Sequence, residues 1–268
     1  MDTTGKQTVS AFGLIIVGSE VLDGRVQDKH FAAAQELLRE RSVMLQYVLI
    51  LQDQPALIEA HLRWAMAQPA PFFCCGGIGA TPDDYTRDCA ARVAGVPLEF
   101  HPEGLAILQE RFGKDATPAR MRLVEFPKGA QLIPNPFNRV PGFTIRNGHF
   151  LPGFPEMARP MMAWVLDHLY TPGPRRIARA LVLPGGREGD LVEMMERFVA
   201  QHPDVTFSSL PKFVPGGTEV RLGLAGAPDA VDAGFKALTA ALDARGTRYE
   251  EVPPAAAVPA APGSQGVP

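Results

Sequence analysis

The strongest constraint on the fold is a glycine-rich segment that directly follows a run of large apolar residues. Residues 72–75 are Phe-Phe-Cys-Cys, and residues 76–84 are Gly-Gly-Ile-Gly-Ala-Thr-Pro-Asp-Asp. This order is typical of a buried strand that breaks into a glycine turn and restarts as a helix. Thr81 suits the N-cap, Pro82 the first helical position, and Asp84 stands three residues after the cap. The segment therefore predicts a strand, a loop and a helix that begins at Pro82.

A glycine loop that leads into a helix suits an anionic ligand. The first backbone N–H groups of a helix have no partner within the helix, and they lie at the positive end of its dipole, so they attract phosphate or carboxylate groups. Asp83 and Asp84 admit two interpretations at this position. They either complement the helix dipole or hold a divalent cation that bridges to the phosphates of a ligand.

Strands and helices alternate along the first half of the chain. Short apolar runs predict strands at residues 13–17, 45–51 and 72–75. Helical spacing of apolar residues between these runs predicts a parallel sheet with helices on both faces. Ligands bind such sheets at the carboxyl ends of the strands, where Glu20, Asp53 and the glycine loop all fall. Three loops are therefore predicted to converge on one edge of the sheet.

The remaining segments predict a second, smaller domain and two irregular ends. Residues 175–250 follow the order strand, helix, strand, strand, helix, which predicts a small α+β domain after a Pro/Gly linker. We expect residues 1–10 to form a flexible N-terminus. Residues 251–268 are dominated by proline and alanine with a single charge, Glu251, and predict a disordered tail.

Composition excludes several classes of function. A net charge of −3 and the lack of any basic run predict no nucleic-acid partner. No apolar run is long enough to span a membrane, and the three cysteines form no metal-binding spacing, so we expect a cytoplasmic protein with reduced thiols. The P-loop pattern is absent, and the glycine loop lacks the third glycine of the dinucleotide-binding fingerprint.

Carboxylates give the clearest chemical signal, because several of them fall near the predicted carboxyl ends of strands. They are Glu20, Asp28, Asp53, Asp83 and Asp84. Like charges around a cleft repel each other unless a cation or a proton compensates them, and hard oxygen ligands favour Mg²⁺ or Mn²⁺. The alternative is that Asp28, Asp53 and Asp84 only cap helices and complement their dipoles.

Taken in chain order, the motifs resemble those of the molybdopterin-binding domain family. They are Gly18-Ser19-Glu20-Val21-Leu22-Asp23-Gly24, Asp28, Asp53, residues 76–84 with Thr86-Arg87, Asn135-Pro136, Pro141-Gly142-Phe143 and Leu151-Pro152-Gly153-Phe154-Pro155-Glu156-Met157. The resemblance covers residues 11–170 and is closest to the N-terminal domain of the competence/damage-inducible protein A type. Residues 175–250 also resemble the small domain that follows in those proteins.

This resemblance implies a three-layer α/β domain with a mostly parallel sheet, a homo-oligomer, and a nucleotide or pterin phosphate as ligand. Phosphate contacts would come from Gly76, Gly77, Gly79 and Thr81. Asp53, Asp83 and Asp84 would be catalytic, with Asp53 and Asp84 holding Mg²⁺, Mn²⁺ or Co²⁺. Further ligand contacts would come from Glu20, Asp28, Lys29, His30, Gly153 and Glu156. Many relatives have Asp-Thr-Asn at residues 28–30, so Lys29 or His30 replaces a ligand-contacting amide here.

Three functions remain open from the sequence. The first is metal-dependent hydrolysis of a nucleotide pyrophosphate such as ADP-ribose or FAD. The second is a nucleotide- or molybdopterin-binding module without turnover, and the third is a step of molybdenum-cofactor biosynthesis such as molybdopterin adenylylation. The deamidase domain that usually follows in competence/damage-inducible proteins has no counterpart in this sequence, so nicotinamide-nucleotide deamidation is not expected.

Overall fold

The computed structural model describes residues 6–253 of the chain. The strands are β1 (Gln7–Val9), β2 (Ala11–Val17), β3 (Met44–Leu51), β4 (Phe72–Cys75), β5 (Leu98–Phe100), β6 (Glu125–Pro127), β7 (Gln131–Ile133), β8 (Gly142–Ile145), β9 (Gly148–Leu151), β10 (Tyr170–Pro172), β11 (Ile177–Pro184), β12 (Val205–Val214), β13 (Gly217–Gly226) and β14 (Glu250–Val252). The helices are α1 (Ser19–Leu22), α2 (His30–Glu40), α3 (Pro55–Met66), α4 (Thr86–Ala94), α5 (Pro102–Phe112), α6 (Pro118–Met121), α7 (Pro155–Leu169), α8 (Val192–Gln201) and α9 (Pro228–Ala244). Short 3₁₀ helices lie at Gly113–Asp115, Arg122–Val124 and Glu188–Asp190.

The chain divides into two compact units with the boundary between Gly173 and Pro174. The first unit contains a six-stranded sheet in the order β3-β2-β4-β9-β8-β7. Strands β3, β2, β4 and β9 run parallel, while β8 and β7 continue the sheet with antiparallel pairs. The carboxyl ends of the four parallel strands therefore share one edge of the sheet, and the loops that follow them lie together there.

Helices cover both faces of this sheet, as the consecutive cysteines of β4 illustrate. Because neighbouring strand residues point to opposite faces, Cys74 and Cys75 enter different cores. Cys74 is buried among residues of α3, α4 and α5, whereas Cys75 is buried among residues of α2 and α7. Full burial on both sides explains why β4 is a continuous apolar run. The prediction of a three-layer, mostly parallel α/β domain is confirmed.

The second unit is a four-stranded antiparallel sheet in the order β12-β13-β11-β14 with two helices. Apolar residues recur at every second position of β13, where Val220, Leu222 and Leu224 are buried. They pack with Phe198 of α8 and Phe235 of α9 in one core. The prediction of a small α+β domain after the first unit is therefore also confirmed.

Both predicted irregular ends contain ordered residues. Gln7–Val9 form β1, which pairs in parallel with β10. The prediction that residues 1–10 are flexible is therefore wrong for residues 7–9. Glu251 and Val252 belong to β14, which pairs with β11, so the predicted tail cannot begin at residue 251. Residues 1–5 and 254–268 lie outside the described part of the chain. Within residues 6–253, no helix combines the length and apolar content that a membrane crossing requires.

Candidate functional site

A cavity of about 730 Å³ lies at the carboxyl edge of the parallel strands in the first unit. Its wall comes from the loops after β2, β3, β4 and β9 and from the segment before β8. Of the residues predicted from sequence, those that line it are Glu20, Asp53, Gly76, Gly77, Gly79, Thr81, Asp83, Asp84 and Gly153. The other predicted residues lie outside this lining; they are Asp28, Lys29, His30 and Glu156. The three predicted loops therefore meet at the cavity, but residues 28–30 do not contribute to its wall.

The helix after the glycine loop begins later than predicted. Residues 81–84 form a turn, and α4 begins at Thr86, whose N–H donates to the carbonyl of Gly77 at 2.9 Å. Thr81 is therefore not the N-cap, and Tyr85 occupies that position. Asp84 accepts from the Thr81 N–H as a capping box predicts, but the chain makes only a turn there and the helix begins at Thr86.

The carboxylate of Asp84 is turned back into its own loop. Its Oδ1 accepts from the N–H of Gly79 at 2.9 Å, and its Oδ2 accepts from the N–H of Thr81 at 2.8 Å and from the Thr81 hydroxyl. Asp84 therefore fills the anion position that a ligand phosphate was predicted to occupy. A charged acceptor that bonds several backbone donors fixes the shape of this loop.

The N–H groups left for a ligand differ from those that the motif predicts. Gly76 donates to the carbonyl of Leu151 at 3.0 Å, and the N–H groups of Gly79 and Thr81 are held by Asp84. In the described part of the chain, the N–H groups of Gly77, Ile78 and Ala80 have no acceptor. These residues line the cavity, so the loop presents three free donors to it.

Backbone geometry explains the glycines at the start of the loop. Gly76 has φ of 102°, and a Cβ built on it would lie 2.0 Å from the carbonyl oxygen of Val17. Gly77 has φ of 67°, and its Cβ would lie 2.3 Å from Oγ1 of Thr86. A side chain at either position would be strained and would also collide with a neighbour.

The main chains of the loops after β4 and β9 approach each other closely. A Cβ on Gly153 would lie 3.3 Å from Cα of Gly76, so the two loop backbones are almost in contact. At this point of the cavity the two main chains lie side by side. Glu156, which was predicted to contact the ligand, lies outside the lining, and its neighbours Pro155 and Met157 are part of it.

Asp53 links the loops after β2 and β3. Its Oδ2 accepts from the N–H of Ser19 at 2.7 Å and from the Ser19 hydroxyl at 2.9 Å, and its own N–H donates to Oγ of Ser19. Gln54 rather than Asp53 occupies the N-cap of α3. The capping role considered for Asp53 is therefore wrong, and its Oδ1 remains without a partner among residues 6–253.

Asp28 does act at a helix start, away from the cavity. It accepts from the N–H groups of His30 and Phe31 and from Nδ1 of His30, at 2.9–3.0 Å. Burial raises the pKa of the Asp28 carboxyl, but these hydrogen bonds, led by the His30 side chain, lower it below its usual value. His30 is itself buried, so Asp28 and His30 stabilise the entry into α2.

Part of the cavity wall was missed by sequence analysis. Arg111, Phe112 and Leu123 line it, as do Asn135 and Asn138. The guanidinium groups of Arg111 and Arg120 lie over the Phe112 ring, at 4.7 and 5.0 Å from its centroid. Arg111 and Phe112 end an ordinary amphipathic helix, and no local pattern distinguishes them. Asn135 belongs to the Asn-Pro motif noted above, which could have indicated it.

The acids of the cavity offer oxygen donors of the kind that Mg²⁺ prefers. Thr81 and the N–H of Asp83 itself lower the pKa of the exposed Asp83 carboxyl, so it is ionised at neutral pH. Among residues 6–253, no group of three or more His, Cys, Asp or Glu side chains is arranged to hold a metal. Magnesium is often held by one or two carboxylates plus ligand phosphates, and the donor set fits that pattern only when a ligand completes it.

The fold and the cavity define a class: an α/β protein with a ligand pocket at the carboxyl edge of a parallel sheet, built around a glycine loop. The chain belongs to the family described as a probable molybdopterin binding domain, whose model matches residues 13–171. The family resemblance predicted from the motifs is therefore confirmed.

Similar proteins agree with this assignment. The chain is 34% identical over 182 residues to a CinA-like protein of Anaeromyxobacter sp. (strain Fw109-5), covering 65% of this chain and 43% of that protein. It is 33% identical over 212 residues to a CinA-like protein of Citrifermentans bemidjiense, covering 75% and 50%. The chain thus spans about half or less of the length of these curated relatives.

A solved structure supports the fold. The chain is similar to the crystal structure of the protein CinA with unknown function from Thermoplasma acidophilum, with a TM-score of 0.55 and 24% identity. The match covers 60% of this chain and 98% of that one. At this level of identity the similarity shows the fold alone.

Proposed function

We propose that the cavity binds a phosphate-bearing nucleotide or pterin and that the chain hydrolyses the pyrophosphate bond of a nucleotide such as ADP-ribose or FAD. One observation carries the proposal: Gly77, Ile78 and Ala80, whose N–H groups are free, line the same cavity as Asp53 and Asp83. Free backbone donors at a strand-to-helix loop bind phosphate, and they also stabilise charge that develops on a phosphoryl oxygen.

Each group of cavity residues would have its own role in hydrolysis. The three free N–H groups hold a phosphate, and Asp53 or Asp83 accepts a hydrogen bond from the attacking water. Water attacks one phosphorus and gives up a proton to the assisting aspartate. The bond from that phosphorus to the bridging oxygen breaks, the bridging oxygen leaves on the other phosphate, and AMP and a second phosphate monoester (ribose 5-phosphate or FMN) are released. Asp53 and Asp83 would hold Mg²⁺, Mn²⁺ or Co²⁺, which polarises phosphoryl oxygens when bound. Asp84 would act by shaping the loop, because both of its oxygens already accept hydrogen bonds there.

Release of AMP tests this function. The purified chain is incubated with ADP-ribose or FAD and with Mg²⁺, Mn²⁺ or Co²⁺ in turn, and AMP is quantified by chromatography. We expect metal-dependent AMP release that falls at least about 100-fold in Asp53→Asn, because this change removes a charge next to the scissile phosphates. Asp88→Asn is the matched control, since Asp88 lies on α4 outside the cavity lining. Equal activity of Asp53→Asn and wild type would contradict the assignment.

A binding module without turnover is the second candidate, and one observation favours it. Asp84 bonds loop donors and Asp53 bonds Ser19, so two of the predicted catalytic acids have positions in which they stabilise loops. This function predicts saturable binding of ADP-ribose, FAD or a pterin phosphate, with the ligand recovered unchanged. Binding in the absence of AMP release under every metal would favour it over hydrolysis.

A further inference from the structure

Arg87 is a charged residue that lies almost completely buried beneath the glycine loop. Its side chain belongs to the second residue of α4 and is 2% exposed. The guanidinium donates to three carbonyl oxygens: to Gly79 at 2.6 Å, to Glu125 at 3.2 Å and to Arg122. The carbonyl of Gly79 belongs to the loop, that of Arg122 to the 3₁₀ helix before β6, and that of Glu125 to the first residue of β6.

This buried charge makes no direct ion pair with a carboxylate. None of its acceptors is a carboxylate, and no ion pair to Arg87 forms within residues 6–253. The carboxylate of Glu125 instead lies 3.8 Å from Arg122, and that of Asp84 bonds the loop donors. The Nε atom of Arg87 is buried without a partner, as is Oγ1 of the neighbouring Thr86. The carboxylates of Asp88, Glu125 and Asp84 act on the guanidinium only at longer range, so backbone carbonyls are its direct partners.

The contact with Gly79 sets the direction of a free donor. The carbonyl of Gly79 and the N–H of Ala80 belong to the same planar peptide unit, and the chain has no cis peptide bond among residues 6–253. In a trans peptide the two groups point in opposite directions. By holding the Gly79 carbonyl, Arg87 therefore directs the Ala80 N–H away from the buried interior, and Ala80 lines the cavity.

The other side of Gly79 is fixed as well. Asp84 accepts from its N–H, and Arg87 donates to its carbonyl, so the peptide units before and after Gly79 are each held by a charged side chain. A charged donor also polarises the peptide that it bonds, which strengthens the N–H at the opposite end as a donor.

We infer that Arg87 is a positioning residue for anion binding, which aims the Ala80 N–H at the ligand phosphate and supplies a positive charge beneath the loop. The inference rests on the proposed phosphate-binding function of the cavity. Arginine is required for this role, because its planar fork reaches three carbonyls at once and a lysine ammonium does not reproduce that geometry.

Calorimetric titration with inorganic pyrophosphate at several salt concentrations tests this role, with thermal unfolding of every variant. We expect Arg87→Met to bind about tenfold more weakly and with a shallower salt dependence, because it loses both the charge and the contact. Arg87→Lys retains the charge, so we expect wild-type salt dependence with an affinity at least about threefold weaker. Arg92→Met is the matched control: Arg92 lies on the same helix, is exposed and pairs with Glu59, so its affinity should equal that of wild type.

Each failure has a separate signature. If Arg87→Lys binds pyrophosphate as tightly as wild type, the inference is wrong while the binding function stands. The same holds if Arg87→Met is folded and retains wild-type affinity and salt dependence. If Arg87→Met does not fold, Arg87→Lys decides. If wild type binds neither pyrophosphate nor ADP-ribose, the proposed function itself is wrong.

Discussion

Asp84 shows how one side chain can imitate a ligand. Its carboxylate bonds the N–H groups of Gly79 and Thr81, so the loop has its final shape before any phosphate arrives. The free donors Gly77, Ile78 and Ala80 are then arranged in advance, and a bound phosphate need not organise them. The two aspartates of the motif therefore have different roles. The side chain of Asp84 bonds its own loop, whereas Asp83 is exposed and lines the cavity.

Replacement of Asp84 by asparagine should separate these two roles. An amide in place of the carboxylate turns an NH₂ group toward a backbone donor, so we expect a loss of about 1–2 kcal/mol in the free energy of unfolding. Urea unfolding measures this loss. Asp83→Asn is the matched comparison for stability, since Asp83 accepts no hydrogen bond from the N–H of Gly79 or Thr81. This variant should lose less than about 0.5 kcal/mol of unfolding free energy. Equal losses in the two variants would contradict the assignment.

Gly76 should tolerate no side chain. Gly76→Ala places a methyl group 2.0 Å from the carbonyl of Val17 at φ of 102°, so we expect a loss of at least about 3 kcal/mol in urea unfolding. Gly129→Ala separates the two causes, because Gly129 has φ of 80° but open space around its Cβ position. It should lose about 1 kcal/mol from the backbone conformation alone. A loss for Gly76→Ala no greater than that for Gly129→Ala would show that the collision is relieved.

Strands and helices of the first unit follow from patterns that are local in sequence. The four-residue apolar run of β4 and the helical periodicity of α2 are short-range signals, and they predict the parallel sheet. The start of α4 is missed because the capping signal at Thr81 and Asp84 yields only a turn over residues 81–84, which only the folded loop reveals. The bond between Asp53 and Ser19 joins residues 34 positions apart, so no local rule predicts it.

Arg87 belongs to the Thr86-Arg87 motif noted above, but its burial could not be predicted from sequence for a similar reason. A positive charge near the start of a helix is usually a solvated surface residue, and its burial depends on the segment around Arg122 and Glu125, far along the chain. The convergence of the loops after β2, β3 and β4 was predictable, because it needs only strand order and direction. The assignment of individual donors to a ligand was not, because it depends on which donors the protein itself satisfies.

A buried histidine connects three strands and should make their stability depend on pH. His149 of β9 bonds the Thr144 hydroxyl of β8 and the Tyr170 hydroxyl of β10, each at 2.8 Å. Burial lowers the pKa of His149 to about 3. The unfolded chain, where the imidazole pKa is about 6.5, binds the proton more readily, so stability is complete above that pH and is lost as the pH falls toward 3.

Comparison with a variant isolates this contribution. Between pH 7 and pH 5, wild type should lose about 2 kcal/mol of unfolding free energy more than His149→Gln, whose amide does not titrate. Urea unfolding across this range measures the difference. His168→Gln is the control, because His168 is exposed near the end of α7 and should retain the wild-type dependence. An unchanged slope in His149→Gln would show that His149 does not carry the effect.

The molecule as a whole consists of two units with separate cores. The apolar clusters of the first unit end at Tyr170, and the cluster of the second unit begins with residues of β11. Every residue that lines the large cavity lies between Val17 and Met157. Among residues 6–253 each apolar cluster consists of side chains from one unit alone, so each unit has the interior that independent folding requires.

A chain that ends at Gly173 should therefore fold and keep the binding function. We expect a cooperative thermal transition and an affinity for inorganic pyrophosphate within about twofold of the full chain. Calorimetry measures both quantities. A fragment of residues 174–253 serves as the comparison and should bind no pyrophosphate. Loss of binding in the first fragment would show that residues after Gly173 are needed for the site.

The near contact between Gly153 and Gly76 has a consequence for engineering and for divergence. The gap between the two main chains is too small for a methyl group in ordinary contact. The loop after β4 and the loop after β9 therefore have to change together. A loop transplanted from a relative into one position would meet a surface shaped for its former neighbour. New ligand preferences in this scaffold should therefore be obtained by exchanging both loops together from one donor, while single-loop grafts disturb the wall that they are meant to change.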